Sequence, residues 1–162
     1  MEQIITEKLD KFSEYLRSLN YSEQSIKSRQ STVRSFFKMP LGKRLQDIKE
    51  EDISAYLVHI SKLKDNTRDV RLRGLKAFFN WLEKELVIFQ NPTLNIKLKA
   101  IKRTIPKVLT YEEIDRVFDF FDCSTFTSLR NRSFLELTYS TGARRQEVLD
   151  LKMKDIDFRN GI

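Results

Sequence analysis

The stretch Tyr139-Ser140-Thr141-Gly142-Ala143-Arg144-Arg145-Gln146-Glu147-Val148-Leu149-Asp150-Leu151 decides how this chain is read. It follows an apolar helical run through Phe134, Leu135 and Leu137, breaks at Thr141-Gly142, and resumes with Val148, Leu149 and Leu151. The pattern predicts two helices separated by a tight break. Thr141 is expected to cap the second helix through its hydroxyl, and Gly142 to permit the sharp entry. Arg144 then falls in the first turn, and Glu147, three residues on, lies on the same side, placed to hold the guanidinium in one orientation. A fixed guanidinium at a helix start, where backbone N–H groups also point outward, suits a phosphate. The same two residues also fit an ordinary surface ion pair worth about 0.2–0.5 kcal/mol, so the surrounding sequence has to separate the two readings.

A chain of 162 residues holds one domain, or a small domain with part of another. No run approaches the apolar length of a membrane span and no basic-then-apolar leader opens the sequence, so no membrane partner is expected. The lone Cys123 excludes an internal disulfide and fits a reducing, cytoplasmic setting. His59 is the one histidine and no cysteine lies near it in the sequence, so no metal site is expected. The formal charge of +7 is uneven: residues 1–99 carry 19 Lys/Arg against 13 Asp/Glu, and residues 100–162 carry 11 against 10. The surplus in the first part favours a polyanion, with nucleic acid the leading partner.

Apolar spacing sets out the helices. Ile5, Leu9, Phe12, Leu16 and Leu19 step by four, three, four and three, which predicts a first amphipathic helix ending at Asn20-Tyr21. Ser22 is placed to cap a second, from about Glu23 to Lys38, with Ile26, Val33 and Phe37 inside and Gln30 between them. On another face of this helix Lys27, Ser31, Arg34 and Lys38 form a basic stripe, and Ser28 adds a small donor beside it. A third helix is expected over Glu50–Leu63 with Ile53, Tyr56, Leu57 and Ile60 inward. Asp65-Asn66-Thr67 reads as loop and cap, and a fourth helix runs to about Glu85 around Leu72, Leu75, Phe79 and Leu82. Arg68, Arg71, Arg73 and Lys76 crowd its first half, while Phe78, Phe79 and Trp81 keep helical spacing and read as core. Residues 99–108, with Lys102, Arg103 and Pro106, read as a basic linker. Thr110-Tyr111-Glu112-Glu113 is a capping box that starts a helix carrying Ile114, Val117, Phe118 and Phe121. Another helix spans about Ser128–Tyr139, and Asp155–Ile162 reads as a strand entering an Asn-Gly hairpin turn.

The string Thr-Gly-Ala-Arg-x-x-Glu-Val-x-x-Leu, followed by Lys154-Asp155-Ile156-Asp157, closely resembles the first active-site box of the tyrosine site-specific recombinases, the phage-integrase and Xer family. Residues 1–98 resemble that family's core-binding domain, through Ser22, Ser25-Ile26, Phe36-Phe37, Asp52-Ile53, Tyr56-Leu57, Leu72, Leu75, Phe78-Phe79, Trp81-Leu82 and Asn91-Pro92. Pro106-Lys107 to Glu113-Ile114 looks like the entry to its catalytic domain. The resemblance implies a mainly α chain: a SAM-like helical bundle, then the mostly helical, incomplete start of an α+β catalytic domain over 109–162.

It further implies that the second and fourth helices lie in the major groove of double-stranded DNA. The contacts would come from Lys27, Ser28, Ser31, Arg34, Lys38, Arg68, Arg71, Arg73 and Lys76, with Lys102 and Arg103 from the linker. Arg144 would contact the scissile phosphate with Glu147 in support. An intact relative cleaves and exchanges strands through a phosphotyrosyl intermediate, needs no cofactor, and works with sibling protomers as a tetramer in the cytoplasm, on the nucleoid. Neither Tyr111 nor Tyr139 matches the nucleophile, and His59 precedes the box, so the chain alone is expected to be inactive. A stand-alone DNA-binding or regulatory protein derived from such an enzyme, or a helical protein-interaction module, also fits these residues.

Overall fold

The computed structural model describes residues 2–97 and 105–156, which form seven α-helices and two short 3-10 turns with no strand among them. The chain falls into two compact units, Met1–Arg103 and Thr104–Ile162. The first holds α1 (Glu2–Ser18), α2 (Glu23–Phe37), α3 (Glu50–His59) and α4 (Asp65–Lys84); the second holds α5 (Tyr111–Asp119), α6 (Phe126–Thr141) and α7 (Arg145–Asp150).

In α1, Ile5, Leu9, Phe12 and Leu16 are buried as their spacing predicts. Leu19, expected on the same stripe, is exposed because the helix ends at Ser18 and Asn20 turns the chain with φ 59, a left-handed conformation that asparagine tolerates better than most residues. Ser22 caps α2, its hydroxyl accepting from the Ser25 N–H at 3.3 Å.

The buried face of α2 is Ile26, Thr32, Val33 and Phe36, so the expected Phe37 is only partly covered. The stripe is turned because α2 packs on both α1 and α4. Gln30 faces α1 and donates to Ser13 Oγ at 2.7 Å, while Thr32 faces Gly74 of α4. α3 stops at His59, four residues earlier than expected, with Ile60 still buried beyond its end. Asp65-Asn66-Thr67 are not a loop but the first residues of α4, and Arg68 Nη1 donates to Asp65 Oδ1 at 3.2 Å across that turn.

Phe12, Phe36, Tyr56, Phe78, Phe79 and Trp81 fill the centre of the first unit. Phe12 meets Phe78 edge to face at 5.3 Å and Phe36 meets Tyr56 likewise at 5.4 Å between ring centroids, while Trp81 lies tilted against Phe12 and Phe78; edge-to-face pairs add about 0.5–1.5 kcal/mol each to the burial itself. After α4, Asn91 anchors the returning chain. Its N–H donates to Glu83 Oε1, its amide nitrogen donates to Asn80 Oδ1, and its own oxygen accepts from the N–H and hydroxyl of Thr93.

The second unit is packed differently. Thr110 and Glu113 close the capping box at the start of α5, but no described residue of this unit is fully buried. Of the four residues expected inside α5, Ile114, Phe118 and Phe121 are half-buried and Val117 is exposed. Met153–Asp155 forms a 3-10 turn in which Asp155 accepts from the Lys152 N–H at 3.0 Å, so Asp155 does not open a strand. The rest of the expected hairpin, residues 157–162, lies outside the described residues, as do Lys102 and Arg103 of the linker. No helix among the described residues is long and apolar enough to cross a membrane.

Candidate nucleic-acid interface

Seven of the predicted cations lie along α2 and α4 of the first unit but stand in different states. Lys27, Ser31, Arg34 and Lys38 are exposed along one face of α2, where with Gln30 and Ser35 they line a shallow concavity of about 340 Å³. None of the Lys27, Arg34 and Lys38 side chains enters an ion pair or hydrogen bond among the described residues. Ser28 is exposed beside this face and lines a second groove, between α2 and α4, together with Arg73.

The cations of α4 are largely committed within the protein. Arg68 pairs with Asp65 at 3.2 Å and Arg73 with Asp69 at 2.5 Å. Arg71 departs from the expected outward stripe: it is half-buried and donates from Nη1 to Ser35 Oγ at 3.0 Å and to the Tyr56 hydroxyl at 3.2 Å. Lys76 is half-buried. Of the cations singled out by sequence in the first unit, the exposed ones without an internal partner are therefore those of the α2 face. His59 is exposed, and no cluster of metal-ligating residues occurs among the described residues.

In the second unit the break between α6 and α7 is built differently from the expectation. Thr141 is the last residue of α6, its hydroxyl donating back to the Leu137 carbonyl at 2.6 Å and accepting from the Ala143 N–H at 3.2 Å. Gly142, at φ 65, closes α6 in the left-handed conformation that glycine adopts without strain. Arg144 itself is the N-cap of α7. Glu147 accepts from its backbone N–H at 2.7 Å through one oxygen and from its Nη1 at 3.0 Å through the other. A single carboxylate thus fixes both ends of Arg144, yet the arginine side chain remains 87% exposed. The Arg144–Glu147 link was readable from the i,i+3 spacing; that Arg144 would replace Thr141 as the cap was not, because threonine is the stronger cap by type.

The Glu147 carboxyl is held below the ordinary glutamate range, first by the Arg144 backbone N–H and then by its guanidinium. A depressed folded value means that this contribution is present above the unfolded pKa and is lost as pH falls through the folded one. An NMR titration of the Glu147 carboxyl carbon should therefore give a midpoint below that of a free glutamate, with the Arg144 amide moving in step. A midpoint at or above the free value would contradict the two-point anchor.

Comparison with known proteins places these features. Residues 9–88 match the model of the phage integrase N-terminal SAM-like domain, and residues 107–162 match that of the phage integrase family. The chain belongs to the phage integrase family. It is 32% identical over 152 residues to tyrosine recombinase XerC of Bacillus licheniformis, covering 90% of this chain and 50% of that protein. It is 30% identical over 158 residues to a tyrosine recombinase of Thermosipho africanus, covering 93% of this chain and 55% of the relative. The chain thus spans about half the length of the curated relatives it matches. Its fold is similar to that of the Tn1549 transposon integrase, solved in complex with a circular intermediate DNA, at a TM-score of 0.69 and 22% identity over 94% of this chain and 50% of that one.

Proposed function

We propose that this chain is the DNA-binding portion of a tyrosine recombinase. Residues 1–98 grip double-stranded DNA, 99–108 act as a basic linker, and 109–162 contribute Arg144 to the site of phosphoryl transfer. The observation that carries the reading is the unpaired α2 face, with Lys27, Arg34 and Lys38 exposed beside the free hydroxyls of Ser28 and Ser31. Cations without internal partners exchange condensed counterions for the protein at no cost in broken ion pairs. The family membership and the relative solved with DNA point to the same ligand.

In this reading an attacking tyrosine, supplied elsewhere in the intact recombinase, displaces the 5′ oxygen of the scissile phosphodiester, which leaves as a free hydroxyl, and forms a 3′-phosphotyrosyl link that conserves the bond energy. Arg144 stabilises the added negative charge of the transition state, and Glu147 keeps the guanidinium aimed. Sibling protomers assembled as a tetramer would pair the cut ends, on the nucleoid in the cytoplasm.

Binding of the 162-residue chain to a mixed-sequence duplex should be strongly salt-dependent. For about six phosphate contacts, log K falls with a slope near −5 against log salt. Lys27→Ala and Arg34→Ala should each reduce the steepness by about 0.9, and Arg73→Ala by less, since Arg73 must first leave Asp69. An anisotropy titration with no binding at about 50 mM salt would refute the proposal.

A further inference from the structure

The basic face of α2 has a floor that no cation supplies. Ser35 lines the same concavity as Arg34 and Lys38, and its hydroxyl oxygen sits in a network drawn from three helices. Tyr56 of α3, with its ring fully buried, donates its O–H to Ser35 Oγ at 3.2 Å. Arg71 of α4 donates Nη1–H to the same oxygen at 3.0 Å and to the Tyr56 oxygen at 3.2 Å.

A serine hydroxyl has two acceptor lone pairs and one proton to donate. Here both lone pairs are taken from the protein side, by Tyr56 and Arg71, and the Ser35 proton has no acceptor among the described residues. The proton is left for whatever occupies the concavity. The guanidinium polarises that O–H, since a charged donor to an oxygen strengthens the bond the oxygen's own proton makes. The walls of the concavity carry Lys27, Arg34 and Lys38, so an occupant that accepts hydrogen bonds and bears negative charge is favoured.

We infer that Ser35 donates a hydrogen bond to a non-bridging oxygen of one backbone phosphodiester, seated between Arg34 and Lys38. Arg71 and Tyr56 are positioning residues that hold the hydroxyl in its donating orientation. This deepens the DNA-binding reading of the α2 face and rests on it. It also gives Arg71 a role different from the direct contact its sequence position suggests. Its charge reaches the phosphate through Ser35, and Tyr56 makes a core aromatic answerable to the surface.

The test uses the whole chain and a 20-base-pair mixed-sequence duplex in anisotropy titrations from about 50 to 200 mM salt, the range over which counterion release is read. Ser35→Ala should weaken binding about 10-fold or more, as expected for removal of a hydrogen bond to a charged acceptor. It should leave the salt slope unchanged, because a neutral donor releases no counterion. Ser35→Thr, which keeps the hydroxyl, should bind within about threefold of the native chain, a shift small enough to be packing alone. Tyr56→Phe should weaken binding about fivefold at the same slope, because the Ser35 hydroxyl, then held by Arg71 alone, is free to rotate out of its donating orientation.

If Ser35→Ala melts below the assay temperature, Ser35→Cys carries the same expectation, since a thiol accepts and donates only weakly. Native binding by Ser35→Ala or Ser35→Cys would overturn the seat while leaving the DNA reading intact. A loss accompanied by a shallower salt slope would also overturn it, since that pattern means the cationic face has been disordered. A native chain that binds no duplex would overturn the DNA reading and the seat together.

Discussion

Replacing Arg144 with alanine, in a polypeptide that joins this box to the tyrosine nucleophile, is expected to lower strand cleavage by about 10²–10³-fold. The expectation follows from the anchoring of the side chain. Glu147 holds the Arg144 backbone and guanidinium with its two oxygens, so the charge is aimed before any phosphate arrives, while 87% of the side chain remains open to one. A preorganised donor of this kind costs no reorganisation as charge develops in the transition state. Glu147→Gln should do less harm, because an amide oxygen still accepts from the Arg144 N–H and the positive charge is kept. Neither change touches the first unit, so duplex binding by α2 should stay within about 0.5 kcal/mol of native. If the pair were only a surface ion bridge, cleavage by Arg144→Ala would be close to native, as exposed pairs contribute about 0–1 kcal/mol. A single-turnover assay with a nicked suicide substrate measures the difference directly, and native cleavage by Arg144→Ala would rule out the clamp.

The elements that periodicity controls were legible from the residues alone. The stripe of α1, the cap at Ser22, the capping box at Thr110 and the aromatic end of α4 all rest on local rules that tertiary packing does not contradict. What failed were the places where one helix meets another. Spacing points to Phe37 where packing buries Phe36, because α2 is flanked on two sides, which widens and rotates its buried face beyond a single stripe. Thr141 ends α6 and does not cap α7, because its hydroxyl bonds the Leu137 carbonyl and Gly142 turns left-handed after it. For the candidate interface, spacing alone counted cations and did not see their partners. Arg68, Arg71 and Arg73 lie on α4 as expected, but Asp65, Ser35, Tyr56 and Asp69 engage them. Of these, only the i,i+3 and i,i+4 carboxylates were visible in the sequence; the links from Arg71 to Ser35 and Tyr56 cross three helices.

A bulky residue at Gly74 should unfold the first unit more readily than a change at any exposed cation. A glycine inside a helix costs about 1 kcal/mol against alanine, so this position in α4 is held for a reason other than helix stability. The reason is contact with α2. A Cβ at Gly74 would stand 3.1 Å from Thr32 Cγ2 and 3.2 Å from Thr32 Cβ and Oγ1. Thr32 is buried and β-branched, and its hydroxyl is tied to the Ser28 carbonyl at 3.1 Å, so it has little room to yield. Gly74→Ala sets the propensity gain against this crowding and should come out near neutral. Gly74→Leu has no such offset: overpacking costs about 1–3 kcal/mol. In a unit of this size that lowers Tm by about 4–8 °C per kcal/mol. Because α2 and α4 are held together at this contact, Gly74→Leu should also weaken duplex binding, although Gly74 carries no charge. The pair Gly74→Ala with Thr32→Ser, which trims the Thr32 methyl, should melt at or above Gly74→Ala alone; additivity of the two changes in calorimetry would show that the glycine is not there to admit Thr32.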